Sequence, residues 1–266
     1  FAADDMGVVL FTSVGQALAV DRRIFAGWEP GAMVRTLADR FGGVARTETA
    51  HTVLPRRDVR SFPLYFTVSR SGQIKASETS ELAKLSSDAL VATLLRDGDT
   101  LVDVFCGPSR GEICVAGSHG KAIVFDIGEL RPQGRKATGV RAIGLDDDAV
   151  VVSASLHPAD GWLVLATAEG FFKRMPSAEF RAQGRGGGGL QTCRLGPNDR
   201  VASMIPVDLA GDVIIRTDRG RVARVPAWEV PLLGRAARGE RLIELARGEA
   251  VIELLSVPAG SLVDQP

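Results

Sequence analysis

Short β-rich runs, each closed by a polar pair and a glycine, recur along the chain. Gly161-Trp-Leu-Val-Leu-Ala-Thr167 and Asp212-Val-Ile-Ile-Arg-Thr217 both end in this way, and a second apolar run begins directly after the glycine. Two such runs joined by a tight polar turn are typical of a β-hairpin. The pattern therefore predicts a hairpin that repeats, with its glycines at Gly15, Gly72, Gly120, Gly170 and Gly220.

The last three copies are 50 residues apart and stay in register beyond the hairpin without a gap. Nineteen residues after each hairpin glycine stands another glycine, twenty-five after it a leucine and thirty-one after it a valine. We predict a third strand at 139–145 and 189–195, and a fourth at 149–154 and 200–205. Four short strands in each repeat, with five repeats, are typical of a β-propeller.

We therefore predict an all-β, propeller-like disc of about five four-stranded blades, forming one domain over residues 1–266. The blades are expected at about 1–60, 61–108, 109–157, 158–207 and 208–260. A short helical turn fits within 76–95. A sixth blade remains open, because its hairpin glycine would fall just beyond the last residue.

A glycine–arginine pair occupies the same place in each of the last three copies. Gly134-Arg135, Gly184-Arg185 and Gly234-Arg235 follow the hairpin glycines by fourteen and fifteen residues, in the segments GRKATG, GRGGGG and GRAARG. This constant offset predicts a fixed loop between the second and third strands of a blade, and not a linker. Glycine lets the main chain approach a ligand closely, and N–H groups beside a guanidinium suit phosphate oxygens.

Further polar and basic residues fall on the same connections and on the second strand of each hairpin. If they line one outer rim, duplex DNA can lie around it; the alternative is that they only solvate exposed loops. The candidate DNA-binding residues are Lys121, Arg131, Arg135, Lys136, Lys173, Arg174, Arg181, Gln183, Arg185, Arg221, Arg224, Arg235 and Arg238, with Lys75 as a weaker candidate, and the candidate backbone loop comprises Gly184, Gly186, Gly187, Gly188 and Gly189.

Composition narrows the class of protein. Hydrophobic residues make up 45% of the 266 residues and charged residues 24%, as in ordinary globular proteins. The 32 basic and 32 acidic residues cancel, so any nucleic-acid binding must come from how charge is arranged. We expect neither a membrane span nor a signal peptide. Three cysteines without C-x-x-C spacing favour reduced thiols in a cytoplasmic protein.

The segments EGFFKRMPSAEFRAQGRGGGGLQT and GRKATGVRAIGLDDDAVV resemble the C-terminal domain of bacterial type IIA topoisomerase A subunits, in gyrase and topoisomerase IV. The likeness is close over about 110–255, good for the hairpin at 62–76 and weak over 1–60. It implies a β-pinwheel, in which blades exchange strands and a basic rim binds and bends double-stranded DNA. It also implies partners, namely an ATPase B subunit together with the rest of the A subunit, in the nucleoid of a bacterial cytoplasm.

In this family, the gyrase members carry a basic glycine-rich heptapeptide, the gyrase box, in the first blade. The segment 183–189 resembles that box but keeps only Arg185 among its basic positions, and it stands in the fourth repeat. The first repeat has DRFGGV at 39–44 instead. The resemblance therefore favours topoisomerase IV over gyrase, with a fragment or a degenerate gyrase domain as the alternatives.

The residues suggest no catalytic site. Strand cleavage in the family needs a tyrosine preceded by an arginine, whereas Tyr65 stands between Leu64 and Phe66 in an apolar run, which favours packing. The histidines lack metal-ligand spacing, and Asp146-Asp147-Asp148 is interpreted as a solvated turn. We expect no cofactor or metal in this domain, since ATP and magnesium belong to other parts of the parent enzyme. Two other hypotheses have less support: a protein-interaction propeller, which lacks W-D or kelch signatures, and an enzyme acting in a propeller channel.

Overall fold

The computed structural model describes residues 7–12, 15–21, 50–83, 90–146 and 148–259. Residues 1–110 and 128–141 form one compact unit, and 111–127 and 142–266 form a second. The prediction of a single domain over 1–266, with its blade boundaries, stays a prediction. The segment 39–44 and Asp147 lie outside the described residues.

Nearly all of the regular structure is β. Two short helices, α1 (Arg56–Ser61) and α2 (Ser80–Ala83), belong to the first unit, and the second of them lies where a helical turn was predicted. None of the helices in the described part of the chain has the length and apolar character that a bilayer crossing needs. The strands are β1 (Gly7–Thr12), β2 (Gln16–Asp21), β3 (Ala50–Pro55), β4 (Leu64–Ser69), β5 (Gln73–Glu78), β6 (Leu90–Val91), β7 (Leu101–Gly107), β8 (Glu112–Gly117), β9 (Lys121–Asp126), β10 (Val140–Arg141), β11 (Val151–His157), β12 (Trp162–Thr167), β13 (Phe171–Pro176), β14 (Leu190–Gln191), β15 (Val201–Val207), β16 (Asp212–Thr217), β17 (Val222–Pro226), β18 (Glu240–Arg241) and β19 (Val251–Val257).

The described strands form five antiparallel sheets, one for each predicted repeat. Four sheets have four strands, in the orders β3-β1-β2-β6, β10-β5-β4-β7, β11-β8-β9-β14 and β15-β12-β13-β18, and the last has the order β17-β16-β19. The hairpin and the long fourth strand of a repeat pair with one another, as predicted. The hairpin turns close at glycines with positive φ, for example +80° at Gly120 and +81° at Gly170.

The third strand differs from the prediction in two ways. It is two residues long instead of seven, and it joins the sheet of the preceding repeat: β14 pairs with β9, and β18 pairs with β13. The segments after it make too few backbone pairs to extend the strand, because they pass on toward their own sheet. This is the strand exchange that the family resemblance implies.

A continuous apolar run in β12 feeds two different cores of the second unit. Leu163 and Leu165 pack with Cys114 and Val124 of the preceding repeat. Val164 and Ala166, on the opposite face, pack with residues of the following repeat such as Val213. Because successive side chains of a strand point to opposite faces, a strand between two cores must be apolar at every position. This accounts for the uninterrupted sequence WLVLA.

Candidate nucleic-acid interface

Each loop that carries the glycine–arginine pair connects two sheets and is tied to the preceding repeat at both ends. Just before the pair, the backbone N–H of Gln183 donates to the carbonyl of Val124 at 2.7 Å, and equivalent bonds join Gln133 to Ala76 and Leu233 to Arg174. Just after it, the glycine before the third strand lies against the second strand of that same repeat. We call these three segments, 134–138, 184–188 and 234–238, the GR loops.

A glycine is required where each GR loop enters the third strand. Gly189 has a φ of +73°, and a Cβ built on it would lie 2.5 Å from the carbonyl oxygen of Ala122. Gly139 and Gly239 are in the same position against Ile74 and Phe172. Any side chain here would block the pairing of the exchanged strand, so these glycines are explained by the fold.

Lys173 is buried, and its ammonium holds the last GR loop. Its Nζ donates to the carbonyl oxygens of Gly234, Arg235 and Ala237 at 3.0, 2.5 and 2.8 Å. An ammonium has three donors, and all three are used here. Lys173 was predicted to contact DNA; the structure instead gives it a structural role, because its side chain is fully buried.

Lys75 occupies the equivalent place two repeats earlier. Its Nζ donates to Ala92 at 2.6 Å and, more weakly, to Gly134 and Arg135 at 3.4 Å. Burial lowers the pKa of both Lys75 and Lys173 from the ordinary 10.5 to about 8. The sequence register could have suggested this role, since both lysines stand three residues after a hairpin glycine.

The middle GR loop is held without a lysine, because Ile123 stands at the equivalent position. Here the backbone N–H of Gly186 donates to the carbonyl of Ala142 at 2.8 Å. Ala142 corresponds in the repeat to Ala92, the acceptor of Lys75, so a main-chain amide replaces the ammonium. Gly186 adopts a φ of +83° to make this bond, a conformation that favours glycine.

The predicted backbone loop therefore divides into two kinds of glycine. Gly186 and Gly189 have positive φ values that the fold uses. A Cβ built on Gly184 or Gly188 would meet no atom of the described residues within 4 Å, so these two leave open space above the main chain. Only the second kind is free to admit the close approach of a ligand.

The arginines of the first and last GR loops are bound to glutamates of the preceding repeat. Arg135 Nε lies 3.1 Å from Glu81 Oε2. The backbone N–H of Arg235 donates to Glu179 Oε2 at 2.7 Å, and its guanidinium donates to the carbonyl of Gln191. Both glutamates stand nine residues after a hairpin glycine, a recurrence that the sequence analysis missed. Arg185, in the middle loop, is partly buried.

Several of the other predicted cations form exposed ion pairs. The pairs are Lys121–Asp146 at 3.3 Å, Arg221–Glu249 at 3.7 Å, Arg224–Asp212 at 2.5 Å and Arg238–Glu169 at 3.3 Å. Exposed ion pairs contribute roughly 0–1 kcal/mol each, so a phosphate can compete for these cations. The pairing of Asp146 with Lys121 agrees with a solvated turn in that segment.

Arg131, Lys136 and Arg181 are exposed, and no carboxylate of the described residues lies within ion-pair distance of them. Arg174 is different, since its Nε donates to the carbonyl of Val230 at 2.8 Å and its guanidinium lies 4.9 Å from the centre of the Trp162 ring. Arg174 therefore belongs partly to the junction between two repeats.

One cation near the interface was missed by the sequence analysis. Arg241, in the exchanged strand β18, is exposed, and its guanidinium lies 4.8 Å from the ring centre of Phe171, while that of Arg238 lies 3.9 Å from it. Arginine on an aromatic face gains cation–π energy and loses freedom of movement. The signal was present in the register, because Arg141 and Arg241 both stand twenty-one residues after a hairpin glycine.

Tyr65 is part of the core, as its sequence context predicted. Its ring is fully buried, its hydroxyl donates to the carbonyl of Ala92 at 3.3 Å, and burial raises its pKa. The three cysteines are buried and unbridged, and burial raises the pKa of Cys106 and Cys114 to about 12. None of these groups is placed or ionised as a nucleophile.

Comparison with known proteins supports the same family as the sequence motifs. A family model described as DNA gyrase C-terminal domain, beta-propeller, matches residues 111–158, 161–208 and 211–258. The DNA gyrase A protein of Ureaplasma parvum serovar 3 is 33% identical over 119 residues, which are 45% of this chain and 14% of that protein. The corresponding protein of Salmonella typhimurium is 32% identical over 114 residues, which are 43% of this chain and 13% of that protein. The chain thus spans a small part of these relatives.

Two solved structures share the fold at lower sequence identity. The C-terminal domain of DNA topoisomerase IV has a TM-score of 0.82 and 22% identity, covering 94% of this chain and 79% of that one. The C-terminal domain of DNA gyrase A has a TM-score of 0.81 and 15% identity, covering 94% and 81%. The predicted all-β, pinwheel-type fold is confirmed by these likenesses. Because the family model matches more than half of its residues, in three successive repeats, the chain belongs to the family of DNA gyrase C-terminal, beta-propeller domains.

Proposed function

We propose that the chain is the C-terminal domain of the A subunit of a type II DNA topoisomerase and that it binds and bends duplex DNA through the phosphates. The observation that carries the proposal is the recurrence of the GR loops, each tied at both ends to the preceding repeat and flanked by arginine or lysine. A loop held in this way presents its cations with little loss of conformational freedom on binding. Membership of the family supports the same function.

The proposed contacts are the predicted cations without Lys173 and with Arg241 added. Arg131, Lys136 and Arg181 are the first candidates, because they are exposed and have no carboxylate partner among the described residues. The ion-paired cations, such as Arg221 and Arg224, would exchange their carboxylates for phosphates. Contacts of this kind carry affinity and little sequence information.

Bending sets a minimum on the number of contacts. Curving 20–30 base pairs costs on the order of 1–6 kcal/mol, which several phosphate contacts must offset. Each neutralised phosphate adds roughly 0.9 to the slope of log affinity against log salt concentration. Because the chain has no net charge, this slope comes from local clusters alone.

Within the parent enzyme the domain would be non-catalytic and would present a DNA segment to the cleavage core. ATP and magnesium would be bound elsewhere, by an ATPase B subunit together with the rest of the A subunit, in the bacterial cytoplasm. We favour a topoisomerase IV-like role over a gyrase-like one, because the basic glycine-rich heptapeptide of gyrase keeps only Arg185 here. The glycines around Arg185 also have a structural explanation in the bond from Gly186 to Ala142.

The test measures affinity for a duplex of about 30 base pairs as a function of salt, by fluorescence anisotropy. Arg131→Gln and Arg181→Gln should each lower the salt slope by about 1. The matched control is Arg110→Gln, which removes one exposed charge from the turn between β7 and β8, outside the predicted set. The control should leave the slope unchanged.

The proposal fails if the unsubstituted chain binds with an affinity that does not change between low and moderate salt. It also fails if Arg110→Gln weakens binding as much as Arg131→Gln and Arg181→Gln do. Absence of any binding at low salt would favour the alternative, a protein-interaction propeller without DNA binding.

A further inference from the structure

The second unit contains an open groove of about 760 Å³ at the ends of three successive sheets. Its wall includes Trp162 at the start of β12, Val207 at the end of β15 and the turns that follow β11 and β15. Four prolines also line it, namely Pro158, Pro176, Pro206 and Pro258. A groove of this size and apolar character is in the range of surfaces that bind ligands or peptides.

The groove lies at the opposite end of the strands from the hairpin turns. Trp162 pairs with Pro176 and Val207 at one end of its sheet, whereas the turn at Gly170 closes the other end. The proposed DNA contacts of this unit, such as Arg221 and Arg238, stand at the hairpin end. The two surfaces of the second unit are therefore separate.

The charge and hydrogen-bonding character of the groove favours a basic partner. Asp160 and Asp208 line it and are exposed, and none of the described residues that line it is lysine or arginine. Proline has no backbone N–H, and the N–H of Ser177 is already bonded to the carbonyl of Gly161 at 2.9 Å. The wall thus offers carboxylates and apolar surface, with few donors. Phosphates need donors and positive charge, so a nucleic acid does not fit here.

We propose that this groove docks an extended polypeptide segment in which lysine or arginine alternates with apolar side chains. The apolar side chains would lie on Trp162 and the prolines, and the cations would reach Asp160 and Asp208. Tryptophan is among the residues that contribute most at protein interfaces. The proposal goes beyond DNA binding and does not depend on it.

The test titrates the full chain with a short peptide of alternating leucine and lysine that has one central proline, which disfavours a helix. Binding is followed through the indole N–H resonance of Trp162, assigned with Trp162→Phe. The same peptide with glutamate in place of lysine should cause no shift. The double variant Asp160→Lys/Asp208→Lys should weaken binding of the lysine peptide roughly tenfold, whereas the matched charge reversal Glu240→Lys/Glu244→Lys, at exposed sites away from the groove, should not.

Four results would overturn the proposal. The first is that the lysine peptide causes no shift of the Trp162 resonance, and the second is that the glutamate peptide binds equally well. The third is that Asp160→Lys/Asp208→Lys leaves the affinity unchanged. The fourth is that the same shift arises with duplex DNA alone, or with rising protein concentration alone, since the occupant would then be DNA or a second copy of the chain. Failure of DNA binding itself would leave the peptide titration unaffected, so the two proposals fail separately.

Discussion

At the scale of single residues, one buried position decides how a GR loop is held. Where lysine stands three residues after the hairpin glycine, as at Lys75 and Lys173, an ammonium gathers the carbonyls of the next repeat. Where Ile123 stands there, the main chain folds inward and Gly186 supplies the donor. Buried carbonyls must be paired in either case, since an unpaired one costs about 1–3 kcal/mol.

This substitution of an amide for an ammonium predicts a coupling between Ile123 and Gly186. Gly186→Ala alone should destabilise the chain by about 1–2 kcal/mol, because its φ is positive. In the background of Ile123→Lys the added ammonium can reach Ala142 in place of the amide, so the same change should cost less, with a coupling energy of about 0.5–3 kcal/mol. Urea unfolding of the four proteins in the cycle measures it.

Gly188→Ala is the control for that cycle, because its Cβ would occupy open space and its φ is not positive. It should change the free energy of unfolding little in either background. An equal cost of Gly186→Ala with and without Ile123→Lys would show that the two positions do not exchange roles.

The buried ammonium of Lys173 gives stability a dependence on pH. Burial lowers its pKa from 10.5 to about 8, so between these values the folded chain has released a proton that the unfolded chain still holds. Stability must then rise with pH in this window, and this contribution is lost as pH falls through 8. The difference in free energy of unfolding between the wild type and Lys173→Met should therefore increase from pH 7 to pH 10. A difference that stays flat over this range would mean that Lys173 titrates normally.

At the scale of elements, the hairpins and the fourth strands were predictable, and the exchange of the third strand was not predictable from residue pattern alone. The apolar run of β12 and the turn at Gly170 carry local signals that any hairpin would carry. Strand β14 has only two residues, and its pairing with β9 depends on contacts 70 residues apart in the chain. The family resemblance supplied what the pattern could not.

The interface was predictable to a similar extent. The recurrence of glycine and arginine located the GR loops correctly, since the offset between repeats reflects a repeated backbone path. Whether a cation faces solvent depends on which sheet face covers it, and Lys173 and Arg181 look alike in the sequence. Burial separates them, because Lys173 lies on a strand between two packed layers and Arg181 follows a 3-10 helix at the surface.

The exchanged strand depends on the close approach of Gly189 to Ala122. Gly189→Ala should cost at least about 2 kcal/mol, from the positive φ and from overlap with the carbonyl. Hydrogen exchange should become faster at Lys121 and Ala122, the partners of β14, before the rest of the second unit is affected. Gly184→Ala, in open space in the same loop, is the control and should leave both measurements unchanged. Protection at Lys121 and Ala122 that survives Gly189→Ala would show that the strand tolerates the added methyl group.

At the scale of the whole molecule, the chain has no net charge, so its proposed activity depends on the separation of like charges onto surfaces. In the second unit the cations of the hairpin end stand apart from Asp160 and Asp208 in the groove. A neutral protein of this kind avoids general attraction to polyanions and binds only where its cations are clustered. Its affinity for DNA should consequently be modest and strongly dependent on salt.

The choice between a bending and a wrapping domain can be tested on a closed circle. If the chain only bends DNA, as the loss of the basic heptapeptide suggests, nicked plasmid sealed by ligase in its presence should keep nearly the linking number of plasmid sealed alone. Wrapping with a fixed hand would shift the distribution of topoisomers in proportion to the amount of protein bound. Substituting Gln183→Lys and Gly188→Arg adds cations to the middle GR loop where space is open above Gly188. A shift that appears only in this variant would assign wrapping to the charge of that loop, whereas a large shift with the unsubstituted chain would contradict the topoisomerase IV-like assignment.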